Sequence, residues 1–279
     1  MHPFNNKVAV VTGASSGIGK ALVQAFAKCG CHIAMADIRP DELQKTLDSL
    51  GSSDKIYKTY TLDVANKDAV FAFADQVAAD FPSVDIVINN AGVSMTTTMD
   101  KLKLEDFHWV MDINFWGMVY GCQAFLPHLL KQPEAWLSNV SSIFGIIGVP
   151  SQGTYCASKF AIRGYTESLR QEFKRSKLKV SAIHPGGVKT NIVRWGKVDK
   201  DYASEERRNT MITSFDKLAK TTPEKAAEII IKGLRKGKKK ILVGGDAWFL
   251  DKVSRLFPQG YDAVVGRQFQ KIDEFEAAG

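Results

Sequence analysis

Residues 7–30 read KVAVVTGASSGIGKALVQAFAKCG. Lys7 to Thr12 is a short apolar, β-branched run that stops at a glycine, the pattern of a buried strand. Ile18, Ala21, Leu22, Ala25 and Phe26 then recur at helical spacing and make one apolar face, with Gly30 where a C-terminal cap belongs. Strand, glycine turn and helix follow each other without a gap. This order is the first half of a βαβ unit.

The same alternation continues outward from this stretch. Cys31 to Ala36 reads as a second strand ending at Asp37, and Leu43, Leu47 and Leu50 stripe a helix opened by Pro40. Ile56 to Leu62 reads as a third strand ending at Asp63; Val70, Phe73, Ala74 and Val77 carry the next helix. Val84 to Ile88 is a fourth buried strand that runs into Asn89, Asn90, Ala91 and Gly92. A long helix is expected over about 104–130, with Asn114 inside it and Pro127 loosening its last turn. Ala135 to Val140 reads as a fifth strand, Gly153 to Lys174 as a helix, and Lys179 to Ile183 as a sixth strand. Such alternation implies right-handed crossovers and a parallel sheet with helices on both faces. The fold class is therefore α/β, a doubly wound, Rossmann-like sheet, in a single domain over 1–279 with its core at 7–190.

Periodicity fails over about 186–222, and so long an irregular stretch suggests a lid or a binding loop. Ile192, Val193, Trp195 and Phe215 in it are expected to line a substrate pocket. Thr222 and Pro223 restart a helix as cap and first residue, with Ala227, Ile230, Ile231 and Leu234 on its apolar face. Ile241 to Val243 reads as a last strand. A helical tail over about 245–279 offers Phe249, Val253, Leu256 and Phe257, with a second short helix after Gly260.

At 279 residues and 45% hydrophobic composition the chain can bury a large core. Its net charge of +7 is concentrated: Lys232, Arg235, Lys236, Lys238, Lys239 and Lys240 lie within one run that holds no acid. The remainder is close to neutral, which argues against nucleic-acid binding. The run and the aromatic tail could form a peripheral membrane contact, but a solvated helix end is the favoured reading. Cys29, Cys31, Cys122 and Cys156 show neither a disulfide framework nor a zinc spacing, and no metal site is expected. Reduced thiols, the lack of a signal peptide and the lack of a long apolar run point to a cytoplasmic protein.

The turn Gly13-Ala14-Ser15-Ser16-Gly17-Ile18-Gly19 lets backbone approach a pyrophosphate at a helix N-terminus, where free N–H groups and a partial positive charge lie. Asp37, at the end of the next strand, suits the two hydroxyls of an adenosine ribose and repels a 2′-phosphate, which favours NAD over NADP; Arg39 and Lys20 soften that repulsion. Tyr155 and Lys159, four apart on a helix, stack a phenol beside an ammonium, and a positive charge close by favours the phenolate.

The chain resembles the short-chain dehydrogenase/reductase family, through TGxxxGxG at Thr12 to Gly19, NNAG at Asn89 to Gly92, Asn114, Ser142, YxxxK at Tyr155 to Lys159 and PGxxxT at Pro185 to Thr190. The resemblance implies an oxidoreductase that interconverts a secondary alcohol and a ketone. By it, Tyr155 is the general acid or base, Lys159 tunes Tyr155 and holds the nicotinamide ribose, Ser142 rather than Ser141 bonds the substrate oxygen, and Asn114 holds a water. Gly13, Ser15, Ser16, Gly17, Ile18 and Gly19 would take the pyrophosphate, Asp63 and Val64 the adenine edge, and Asn90, Ala91 and Gly92 the adenosine ribose. Pro185, Gly186, Val188 and Thr190 would place the nicotinamide. The resemblance also implies a homodimer or homotetramer. An acyl-carrier-linked ketoreductase and a cofactor-binding protein without turnover are the alternatives. His184, Cys156, Trp109 and Trp116 read as packing residues.

Overall fold

The apolar run at the N-terminus forms β1 (Val8–Thr12), buried along its whole length, and its glycine turn leads into α1 (Gly17–Lys28). The computed structural model describes residues 3–199, 202–263 and 266. After α1 come β2 (His32–Asp37), α2 (Pro40–Asp48), β3 (Tyr57–Thr61), α3 (Lys67–Asp80), β4 (Ile86–Asn89) and the short β5 (Met95–Thr96). Next are α4 (Leu104–Met111), α5 (Gly117–Leu129), β6 (Ala135–Val140), α6 (Gly153–Glu172) and β7 (Leu178–Pro185). The chain continues through β8 (Lys197–Val198), α7 (Glu205–Leu218), α8 (Pro223–Arg235), β9 (Lys240–Val243) and α9 (Gly245–Leu256).

Seven strands pair in parallel in the order β3-β2-β1-β4-β6-β7-β9. Because the order reverses beside β1, the crevice outside the carboxyl ends of β1 and β4 is where such sheets bind ligands. Each face of the sheet carries its own core. Phe26, Ile33, Trp136, Ile230 and Leu234 pack with α1 and α8 on one side, and Val77, Phe73, Phe125, Leu137 and Ile162 pack with α3, α5 and α6 on the other. Trp136 is fully buried, with its indole N–H donated to the Leu234 carbonyl at 3.1 Å and its ring edge-on to Phe4.

Three expectations need correction. The long helix over 104–130 is not continuous: residues Asp112–Trp116 form a π turn between α4 and α5, while Pro127 sits within the last turn of α5 and does not end it. The stretch 186–222 is not without elements, since α7 lies in it, capped by Ser204, whose hydroxyl accepts the Arg207 N–H at 3.2 Å. None of the residues of α7 is buried, so it has no apolar stripe for periodicity to find. Third, α9 forms but turns Ala247 and Asp251 inward, leaving Phe249, Leu256 and Phe257 exposed together with Trp248. Of the helix expected after Gly260, residues 261–263 and 266 are helical, and the rest of the expected stretch lies outside the described residues. No helix among the described residues is long and apolar enough to cross a membrane.

Candidate active site

Tyr155 and Lys159 stand one turn apart on α6, with the Lys159 Nζ 5.4 Å from the centroid of the Tyr155 ring. Ser142 follows β6 and caps a single 3-10 turn, Ile143–Gly145, accepting the Phe144 N–H at 3.1 Å. Its hydroxyl lies close enough to the Tyr155 phenol to favour the ionised phenol. The neighbouring Ser141 faces the other way and donates to the Lys159 carbonyl at 2.8 Å. One serine therefore anchors the helix that carries the phenol, and the other lies beside the phenol itself. His184, fully buried on β7, holds the Ser142 carbonyl through Nδ1 at 2.9 Å.

Burial dominates the electrostatics of the pair. Lys159 is 2% exposed and donates to the Val140 carbonyl at 3.0 Å; burial lowers its pKa to about 7. Burial likewise pushes the Tyr155 phenol up to about 12, against the opposing effect of nearby Ser142. Both shifts favour the neutral forms, as low-polarity surroundings do. The simple picture of an ammonium lowering a phenol is thus outweighed here by desolvation.

Asn114 sits in the π turn, a distortion often found at functional sites. Its Oδ1 accepts the Val93 N–H at 2.8 Å, and its Nδ2 donates to the Val93 carbonyl and to Ser158 Oγ, each at 3.0 Å. Ser158 in turn donates to the Tyr155 carbonyl at 2.8 Å. A methyl group added at Gly92 would lie 3.1 Å from Asn114 Oδ1 and 3.3 Å from Lys159 Nζ, so these three residues converge on one spot.

A cavity of about 420 Å³ runs away from this spot and is lined by Gly13, Asp37, Arg39, Asp63, Val64, Gly92, Ile192 and Trp195, among others. Its floor is the glycine turn. Gly13 has φ +66° and lies so close to Ala91 that a Cβ would be 2.9 Å from the Ala91 Cα, so only glycine fits. Gly17, at φ +51°, is equally tight against the methyl of Thr190. Ser15, Ser16, Ile18 and Gly19 belong to the same turn and first helical residues. Asn90 ties this floor to β4, its Nδ2 reaching the Thr12 carbonyl at 2.9 Å, while the Thr12 hydroxyl accepts the N–H groups of Asn90 and Ala91. Asp63 bonds only its own turn, at the Ala65 N–H. Pro185, Gly186 and Val188 lie at and beyond the end of β7.

Asp37 is 5% exposed and accepts the N–H of Ser15 on one oxygen, and both N–H and Nε–H of Arg39 on the other. Arg39 also reaches Ser15 Oγ at 2.8 Å and Ser16 Oγ at 3.3 Å, and its guanidinium lies 3.7 Å from the centroid of the Trp195 ring. Ile192 and Trp195 both line this cleft, Trp195 over Arg39 at its Asp37 end, and the segment that carries them is tied down by Ser94, which donates to the Ile192 carbonyl at 2.8 Å, and by pairing of β8 with β5. The glycine floor, the buried carboxylate and a cavity of this size fit a dinucleotide. Among the described residues there is no cluster of His, Cys, Asp and Glu suited to a metal.

Sequence reasoning did not single out Ser158, the Thr12 hydroxyl or Asp246, whose roles lie in contacts 44 to 79 residues apart. Nothing local marks such partners. Trp116, expected to pack within the helix, is 44% exposed and stacks on Tyr120.

The family model for short chain dehydrogenase matches residues 7–200. A Mycobacterium tuberculosis protein named as an oxidoreductase, SadH, is 41% identical over 275 residues, covering 98% of both chains. A Thermotoga maritima 3-oxoacyl-[acyl-carrier-protein] reductase is 29% identical over 82% of this chain and 90% of its own. Among solved structures, a short chain dehydrogenase/reductase from Burkholderia phymatum in complex with NAD superposes with a TM-score of 0.83 at 26% identity, covering 91% of this chain and 95% of that one. An alcohol dehydrogenase from Thermococcus sibiricus complexed with 5-hydroxy-NADP shares the fold, with a TM-score of 0.72 over 85% of this chain and 96% of that one. On sequence, fold and the matched motifs together, the chain belongs to the short-chain dehydrogenase/reductase family of oxidoreductases.

Proposed function

We propose that this protein is an NAD(H)-linked oxidoreductase that interconverts secondary alcohols and ketones. The observation that carries the reading is the grouping of Tyr155, Ser142 and buried Lys159 beside Gly92, which also lines the cleft that holds the Asp37 carboxylate. Gly13 to Gly19 would hold the pyrophosphate, Asp37 the adenosine ribose with Asn90, Ala91 and Gly92 close beside it, Asp63 and Val64 the adenine, and Pro185, Gly186, Val188 and Thr190 the nicotinamide. When bound, the cofactor supplies or accepts the hydride. In reduction Tyr155 delivers its proton to the substrate oxygen, and in oxidation it removes one. Ser142 donates a hydrogen bond to that oxygen as charge develops on it. Lys159 stabilises the phenolate left behind and offers donors to the ribose hydroxyls, while Asn114 fixes the loop after β4 against α6.

NAD is preferred because a buried carboxylate beside the ribose repels a 2′-phosphate, with Arg39 moderating the effect. An apolar substrate is supported by Phe144, edge-on to Tyr155 with 6.2 Å between ring centroids. The Thermotoga relative supports a second reading, reduction of ketones on an acyl carrier. Among the described residues no disulfide joins the cysteines, which agrees with a reducing compartment. Tyr155→Phe should lower turnover by at least about 100-fold and leave the dissociation constants for NADH and NADPH near their wild-type values, NADH the tighter. Retained turnover of a wild-type substrate would remove Tyr155 as the proton donor, and tighter NADPH binding by the wild type would reverse the cofactor assignment.

A further inference from the structure

We infer that Asp246, in the first turn of α9, is a positioning residue for the Gly186–Gly187 turn, and through it for the nicotinamide end of the cleft. The inference rests on the proposed cofactor reading. Asp246 Oδ2 accepts the Gly187 N–H at 2.6 Å, a charge-assisted bond across 59 residues of sequence. The carboxylate lies so near the backbone that a Cβ at Gly186 or at Gly244 would collide with it. At Gly187 a Cβ would meet the Ala219 Cα at 3.1 Å and Asp246 Oδ2 at 3.4 Å. Three glycines, two in the turn after β7 and one at the start of α9, thus leave room for one side chain.

Successive peptide groups of the turn are held from outside it. The Gly186 N–H bonds the Val243 carbonyl at 2.9 Å, the Gly187 carbonyl accepts from Thr221 N–H at 3.2 Å, and Lys189 N–H bonds the Thr221 carbonyl at 2.9 Å. These bonds come from backbone at the end of β9 and just before α8. Asp246 adds the charged group, and it accepts the Gly187 N–H. A turn held at four points sets the direction of the Val188 and Thr190 backbone groups that follow. The tail reaches the other side of the site as well, where the Gly148 N–H bonds the Tyr261 hydroxyl at 3.4 Å. The doubled glycine after Pro185 is explained by this contact with α9 and the close pass of Ala219.

The test compares Asp246→Ala and Asp246→Asn with the wild type, using calorimetric binding of NADH and of ADP-ribose, which lacks the nicotinamide, and hydrogen exchange over 186–190 in the protein alone. Asp246→Ala should weaken NADH binding about tenfold, leave ADP-ribose within about twofold, and speed exchange at Gly187. Asp246→Asn keeps an acceptor at the same reach and should restore most of the NADH affinity. Asp246→Ser, too short to reach the Gly187 N–H, should repeat the alanine result and replaces it if that variant does not fold. Equal losses for NADH and ADP-ribose, unchanged NADH affinity, or unchanged exchange at Gly187 would overturn the inference. A wild type that binds neither molecule would instead overturn the cofactor reading on which it stands.

Discussion

Lys159 is the residue on which the chemistry and the stability of this protein pull in opposite directions. Burial holds its folded pKa at about 7, below the ordinary lysine value of 10.5. Between these values the unfolded chain binds the proton and the folded chain does not, so this group makes stability rise with pH through that window. Below about pH 7 the folded protein carries the full cost of a buried ammonium. Tyr155, pushed up to about 12, contributes the reverse sense only above pH 10, where the unfolded phenol ionises first. Lys159→Met should therefore abolish turnover and stabilise the cofactor-free protein by a few kcal/mol at about pH 6, with the gain shrinking toward pH 10. Urea unfolding at a series of pH values measures this, and a pH-independent difference would contradict it. YxxxK was legible as a pair from spacing alone. That desolvation outweighs their attraction was not, because burial of Lys159 comes from the strands and loops around α6 and not from α6 itself.

The π turn between α4 and α5 and the segment after β7 are the elements that shape the cleft. The π turn inserts Asn114 toward Val93 and Ser158, where a regular helix would rotate it by a residue. Sequence periodicity does not reveal such a turn, since five residues are fewer than the window over which an apolar stripe is counted. The segment after β7 crosses the cleft because β8 pairs with β5 and Trp195 stacks on Arg39. A partly exposed cation–π contact of this kind is worth about 0.5–2 kcal/mol. Trp195→Ala should raise the dissociation constant for NADH about three- to tenfold through faster release, with the chemical step little changed. Stopped-flow displacement of bound NADH reads the release rate directly. An unaltered rate would mean that the stack does not restrain the cofactor. That Trp195 lies over Arg39 is not legible in the sequence, since a loop of unknown course can be read only by its composition.

At the scale of the whole molecule, the two cores leave one neighbouring set of helices with apolar side chains in water. Leu104 on α4, Trp116 between α4 and α5, and Phe160 on α6 are 72%, 44% and 41% exposed, and these helices touch one another. Large apolar side chains exposed on neighbouring helices suit association between copies of the chain. The protein should sediment as a dimer or tetramer of its 30.8 kDa chain, and Trp116→Glu should move it toward the monomer; a monomeric wild type would refute the expectation. The sequence alone determined the succession of strands and helices and the sheet's parallel sense, and it singled out the candidate catalytic and phosphate-binding residues, because these follow from local periodicity and from motifs a few residues long. Polar α7 and the π turn escaped it for want of a periodic signal. Tertiary structure alone decided which carboxylate holds the Gly187 N–H, where Trp195 lies and which charges are desolvated. Each of these depends on groups far apart in the chain being packed at hydrogen-bonding distance, and their energies come from that packing rather than from any residue's own preference.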